Sequence, residues 1–81
     1  MNDTIRAILK DHGRLTADAA ALADDADLFK AGMTSHASVN VMLALEGKFD
    51  VEFPDAMMSR EVFGSIAGIR GALEELTKNG R

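Results

Sequence analysis

The sequence predicts an all-α fold: a small bundle of three longer helices and one short helix, with a long loop between the first two helices. Three observations carry that prediction. Apolar residues recur at helical spacing in three segments, at Ile5, Ile8 and Leu9, at Val41, Leu45 and Phe49, and at Ile66, Ile69, Leu73 and Leu76. No segment alternates apolar and polar residues for long enough to make a strand, and "VEF" at 51–53 is too short to count. The 81 residues hold no internal repeat and no low-complexity tail, which predicts one domain over 1–81.

Each element has a local cause. Asn2 or Asp3 can cap the first helix, and Gly13 suits its stop. The segment "RLTADAAALADDADLFKAG", 14–32, spaces Leu15, Leu22, Leu28 and Phe29 irregularly. Its alanines favour helix while its aspartates favour caps and turns. It reads as a long loop with room for one helical turn, pinned to the core by those apolar side chains; loops of that length in small domains tend to be functional. The second helix runs from Thr34 or Ser35 to Phe49, burying Val41, Leu45 and Phe49 with Met42 beside them, and turns His36, Asn40, Leu43 and Gly47 the other way. "FDVEFPD" breaks the pattern, because Pro54 disfavours helical geometry at Phe53. "DAMMSREVF", 55–63, predicts the short helix, with Met57, Met58, Val62 and Phe63 available for packing, and Ser65 can cap the last helix.

Composition narrows the function. A chain this size buries only roughly 60–65% of its unfolded surface, so a substrate pocket roofed by a second domain is not expected. At 47% hydrophobic and 27% charged residues the chain is an ordinary globular protein. With no cysteine there is no disulfide, thiolate nucleophile or cysteine-ligated metal, and thiol chemistry would have to be brought in from outside. A net charge of −4, from 13 acids against 9 Lys and Arg, repels a phosphate backbone and argues against nucleic acid as a partner. Asp18, Asp24, Asp25 and Asp27 crowd one segment, read as a solvated loop. No apolar run approaches the ~20 residues of a membrane span, and the N-terminus lacks the pattern of a secretory signal. A cytoplasmic monomer with no membrane partner is expected.

Catalytic constellations fail on geometry. Gly32-Met33-Thr34-Ser35-His36 is not G-x-S-x-G and follows no strand. Ser35 and His36 are sequence neighbours on a helix and point about 100° apart, so they make no nucleophile–base pair. His12 ends the first helix, where the helix dipole accounts for it. Two histidines and scattered carboxylates match no metal-site spacing.

The mouth of the second helix, in "KAGMTSHASVNVML" at 30–43, offers more. A helix N-terminus carries about half a positive charge and several free N–H groups, so it suits a phosphate. Gly32 lets the chain turn sharply there, and a serine at the mouth is open to solvent. On these residues alone, Thr34 or Ser35 acting only as a cap is the commoner outcome, and both readings stay open.

"DADLFKAGMTSHASVNVMLALEGKFDVEFPD" resembles the central region of acyl carrier proteins. That family has Asp-Leu, a short turn ending in Gly, then typically Asp-Ser-Leu, then a helix ending in a run like "ALEEEFDIEIPD". The matching pieces are Asp27-Leu28, Gly32, Thr34-Ser35-His36 and the run from Ala44 to Asp55. The resemblance implies an acyl-carrier-like bundle and puts Ser35 on the serine that carries 4′-phosphopantetheine. The arm would supply the thiol this chain lacks and hold an acyl or aminoacyl group as a thioester, with no catalytic residue in the chain itself. Ser38, one turn on and sharing the flank of Val41, Met42 and Leu45, reads as a packed or backbone-bonded hydroxyl. The partners implied are a phosphopantetheinyl transferase, an acyl- or aminoacyl-loading ligase and a downstream transferase, meeting the chain at Thr34, His36, Val39, Asn40, Leu43 and Glu46.

Three departures from the family bear on the cargo. Thr34 replaces the usual Asp, His36 replaces the usual Leu, and the second helix lacks the acidic outer face of fatty-acid carriers, with Lys48 a reversal. Electrostatic steering would be weaker without those charges, and Leu43 would offer an apolar contact in their place. The stretch is therefore closer to specialised stand-alone bacterial carriers, in dedicated lipid or secondary metabolism or charged with amino acids by truncated homologues of class II aminoacyl-tRNA synthetases; the aminoacyl kind is preferred. The rival from another class is an unmodified helical adaptor that binds a partner through the face from His36 to Leu43.

Overall fold

Helix α1 (Asn2–His12) turns Ile5, Ile8 and Leu9 inward, as their spacing predicts, in a computed structural model that describes residues 2–15 and 18–80. Its stop is subtler than a left-handed glycine. The Gly13 N–H donates to Leu9 O at 2.8 Å, a Cβ on Gly13 would lie 2.7 Å from that same oxygen, and the left-handed residue is Arg14 with φ 55°. Gly13 is there for close approach.

The loop that follows contains one 3₁₀ turn, Ala19–Ala21, and drops Leu28 fully into the core. Its acidic segment departs from the solvated reading. Arg6 of α1 donates to Ala19 O at 2.6 Å, Leu22 O at 2.7 Å and Asp24 Oδ1 at 2.6 Å. Arg70, farther along the chain, reaches Asp24 Oδ2 and Asn2 Oδ1. Asp27 Oδ1 accepts from the N–H groups of Phe29 and Lys30 and shapes the turn before Gly32. Only Asp18 and Asp25 keep the expected exposure. A long loop must satisfy its backbone groups somewhere, and here a guanidinium accepts that task for two carbonyls.

Helix α2 (Ser35–Phe49) buries Ala37, Val41 and Leu45 completely. It stops at Asp50, left-handed at φ 54°, ψ 50°, whose N–H returns to Glu46 O. The Glu46 carboxylate then accepts from the Phe53 N–H at 2.8 Å. That bond seats Phe53 in the core, edge-on to Phe63 with ring centroids 5.1 Å apart.

The segment 55–63 is not one helix. A 3₁₀ turn at Asp55–Met57 and helix α3 (Arg60–Phe63) are separated at Ser59, whose Oγ accepts from the Val62 N–H and starts the helix anew. Phe63 is buried, Met57 and Val62 are half-buried, and Met58 is exposed rather than packed. Ser65 caps helix α4 (Ile66–Gly80) through the Gly68 N–H, as its position predicts. Ile66, Ile69 and Leu73 of α4 are fully buried. Gly68 permits α3 and α4 to touch: a Cβ there would sit 2.5 Å from Glu61 O and 2.6 Å from Val62 O.

The predicted three long helices and one short one are present, and the described residues contain no strand. Helix α1 packs on both α2 and α4, and α3 packs on α4. Two backbone bonds lock the loop to the far side of the bundle, Leu28 N–H to Gly64 O at 2.7 Å and Ala67 N–H to Asp24 O at 2.9 Å. Their combined effect is to fix the loop's end, and so the start of α2.

Candidate functional site at the mouth of helix α2

The chain enters α2 through Gly32 at φ 114°, a conformation that favours glycine. Met33 is then anchored by its N–H to Leu28 O and by burial of its side chain. Thr34 follows in extended geometry, φ −88° and ψ 166°, and its Oγ1 accepts from the Ala37 N–H at 3.0 Å. Its carbonyl accepts the Ser38 N–H at 2.9 Å. The cap is therefore Thr34.

Ser35, the first residue of the helix, is exposed, and its hydroxyl has no hydrogen-bond partner among the described residues. The amides of Ser35 and His36 also lack acceptors among those residues. A free hydroxyl beside two free N–H groups at the positive end of a 15-residue helix fits a phosphate ester on Ser35 Oγ. Ser38 is unsuited to that role. It is half-buried, and its Oγ donates to Ser35 O at 2.6 Å, the backbone-bonded state expected of it.

The other predicted residues divide into groups. His36 is exposed, as are Val39 at 49% and Leu43 at 55% of their full surface, which is high for apolar side chains on a small domain. Asn40 is half-buried. Glu46 is half-buried, and one oxygen of its carboxylate accepts from the Phe53 N–H, which ties the end of α2 to the segment that follows. No group of three or more metal-ligating side chains occurs among the described residues.

Beside Ser35 lies a feature that the sequence conceals. A cleft of about 350 Å³ is lined by Ser35, Ser38, Val39 and Met42 on one wall, and by Phe29, Met58, Ser59, Arg60 and Phe63 on the other. Arg60 stands 4.5 Å over the centre of the Phe29 ring and 3.8 Å from Asp27 Oδ2. Nothing in the spacing of Phe29 and Arg60 announces this contact; only the surplus of apolar side chains in "DAMMSREVF" hints at a wall.

Comparison with known proteins identifies the family. The model of the phosphopantetheine attachment site matches residues 3–76. An aminoacyl carrier protein of Agrobacterium fabrum is 46% identical over 74 residues, spanning 91% of this chain and 89% of that protein. Among solved structures, one is a complex of an engineered Bradyrhizobium japonicum glycine:carrier protein ligase with a carrier protein from Agrobacterium tumefaciens and AMP. It matches at 46% identity and a TM-score of 0.87, covering 91% of this chain and 99% of the matched one. A complex of the Bradyrhizobium japonicum glycine:carrier protein ligase with glycylated carrier protein matches at 30% identity and a TM-score of 0.74, covering 88% and 95%.

Proposed function

The chain belongs to the phosphopantetheine attachment-site family, and from that premise we propose that it is an aminoacyl carrier protein modified on Ser35. The 4′-phosphopantetheine group of the family supplies a terminal thiol on which cargo is held as a thioester. Residues 1–81 act as a single, non-catalytic carrier domain in the cytoplasm, where a stand-alone carrier would meet its loading enzymes. The observation that carries Ser35 is the division of labour at the helix mouth. Thr34 does the capping, Ser38 is tied to backbone, and the Ser35 hydroxyl is left exposed and unpartnered among the described residues.

The cargo is glycine or another small amino acid. Supporting this are the relative that is an aminoacyl carrier protein and the matched carriers bound to glycine:carrier protein ligases, one of them glycylated. The partners are then a phosphopantetheinyl transferase, an aminoacyl-loading ligase and a downstream transferase. They approach over the exposed His36, Val39 and Leu43, with Thr34 and Asn40 at the edge of that face. An apolar contact surface suits a helix that lacks an acidic outer face, since steering by charge is weak there.

Intact-mass measurement tests the assignment. Incubation with coenzyme A, magnesium and a broad-specificity transferase adds one phosphopantetheine to the wild type and nothing to Ser35→Ala. Glycine, ATP and a glycine:carrier protein ligase then add one glycyl group that hydroxylamine removes. No first gain, or a gain that survives Ser35→Ala, refutes the site and leaves the adaptor reading. A first gain without the second refutes glycine as the cargo.

A further inference from the structure

We propose that Arg60 is a positioning residue: it binds the phosphodiester that joins the arm to Ser35 and lays the arm's first atoms along the apolar cleft between α2 and α3. This rests on the carrier reading above. Ser35 and Arg60 line the same cleft, and Arg60 is the one charged side chain among the described residues lining it. A phosphodiester is a monoanion at any physiological pH, so a cation in the cleft that its ester oxygen opens onto is complementary to it.

The Arg60 guanidinium is placed but not spent. Its contact over the Phe29 ring holds it at the cleft, and its side chain donates no hydrogen bond among the described residues. Its nearest carboxylate oxygen, Asp27 Oδ2, is at 3.8 Å, beyond hydrogen-bond distance, and the other oxygen of Asp27 serves two backbone amides. The side chain is 69% exposed, so that ion pair is weak and readily exchanged. A guanidinium in this state can present two parallel donors to phosphate oxygens. The free amides of Ser35 and His36 reach the same phosphate from the helix side. Apart from Ser38 and Ser59 the remaining lining, from Phe29, Val39, Met42, Met58 and Phe63, is apolar and suits the methyl and methylene groups of a pantetheine. A volume of about 350 Å³ is at the small end for a ligand site, enough for part of the arm and short of a long acyl chain.

The experiment compares apo and holo forms of isotope-labelled full-length protein, with complete modification first verified by mass. In the wild type, attachment shifts the Arg60 Nε–H resonance and the amides of Val39, Met58 and Phe63, and those shifts shrink as salt is raised. In holo Arg60→Gln the equilibrium constant for docking falls about threefold, the worth of one charge-assisted contact at an exposed site, and the shifts at Val39, Met58 and Phe63 fall by up to that factor. Those at Ser35 to Ala37 persist. Arg60→Lys, which keeps the charge but not the fork, falls between the two. Changes confined to the neighbours of Ser35 in the wild type, shifts insensitive to salt, or identical shifts in Arg60→Gln overturn the contact and leave the carrier reading intact. Failure to gain mass removes the carrier reading and the contact with it.

Discussion

Arg6 ties the long loop to the bundle, and Arg6→Met removes that tie while keeping the length and most of the apolar stem. The guanidinium makes three short bonds, to Ala19 O, Leu22 O and Asp24 Oδ1, and its side chain is only 20% exposed. Asp24 is 42% exposed, so the ion-pair component is worth about 0.5–1 kcal/mol after screening by solvent. The two carbonyls lose charge-assisted donors and are only partly open to water, at about 1 kcal/mol each. The sum is about 2.5–3 kcal/mol. At about 4–8 °C per kcal/mol for a domain of this size, the melting temperature falls by more than about 10 °C. Urea unfolding measures the free energy directly, and an unchanged m-value shows that the same surface is exposed. Asp24→Asn separates the terms, since it loses only the ion pairs and costs about 1 kcal/mol. A loss below about 0.5 kcal/mol for Arg6→Met, the range of ordinary surface changes, refutes the clamp and restores a merely solvated loop.

Three further outcomes are expected. Thr34→Ala costs about 1 kcal/mol through loss of the Ala37 cap, whereas Ser35→Ala changes stability by less than about 0.5 kcal/mol; equal losses in thermal unfolding would contradict the division of roles. Gly68→Ala forces a Cβ against Glu61 O and Val62 O and destabilises by about 1–3 kcal/mol, read by urea unfolding. Leu43→Glu leaves the melting temperature within about 4 °C of the wild type, because the side chain is exposed. In the same variant the rate of aminoacyl loading drops by about tenfold, the worth of one buried apolar contact in the complex; unchanged loading kinetics would make the leucine incidental.

Much of this was legible because it depends on short-range pattern. Stripes such as Val41 with Leu45, or Ile66 with Ile69 and Leu73, identify their helices and buried faces from spacing alone. The caps at Thr34 and Ser65 are local chemistry within three residues. What stayed hidden joins residues far apart in the chain. Asp24 is an acid in an acidic loop until Arg6 and Arg70 arrive from two helices. The bond from the Phe53 amide to the Glu46 carboxylate is equally silent in the sequence, where Glu46 reads as an outer acid of α2. The break at Ser59 is hidden for a different reason: Ala56, Met57, Met58, Arg60 and Glu61 around it are good helix formers, and a hydroxyl that can restart a helix can also sit within one.

These hidden contacts have one consequence in common, which is to place the second wall of the cleft opposite Ser35. Glu46 holds Phe53, Phe53 packs edge-on to Phe63, and Phe63 is the last residue of the helix that begins with Arg60. From the other direction, Arg6 fixes Asp24, whose carbonyl takes the Ala67 N–H, while Leu28 binds Gly64 O just beyond that same short helix. Helix α3 has four residues and too few hydrogen bonds to stand alone, so its position is set by these two chains of contact. The site is thus one exposed hydroxyl that the cap leaves free, facing a wall whose geometry is maintained from both ends of the bundle. On the proposed reading this gives Ser35 what an attachment point needs: an exposed hydroxyl at the start of α2, opposite a wall held by contacts drawn from the rest of the fold.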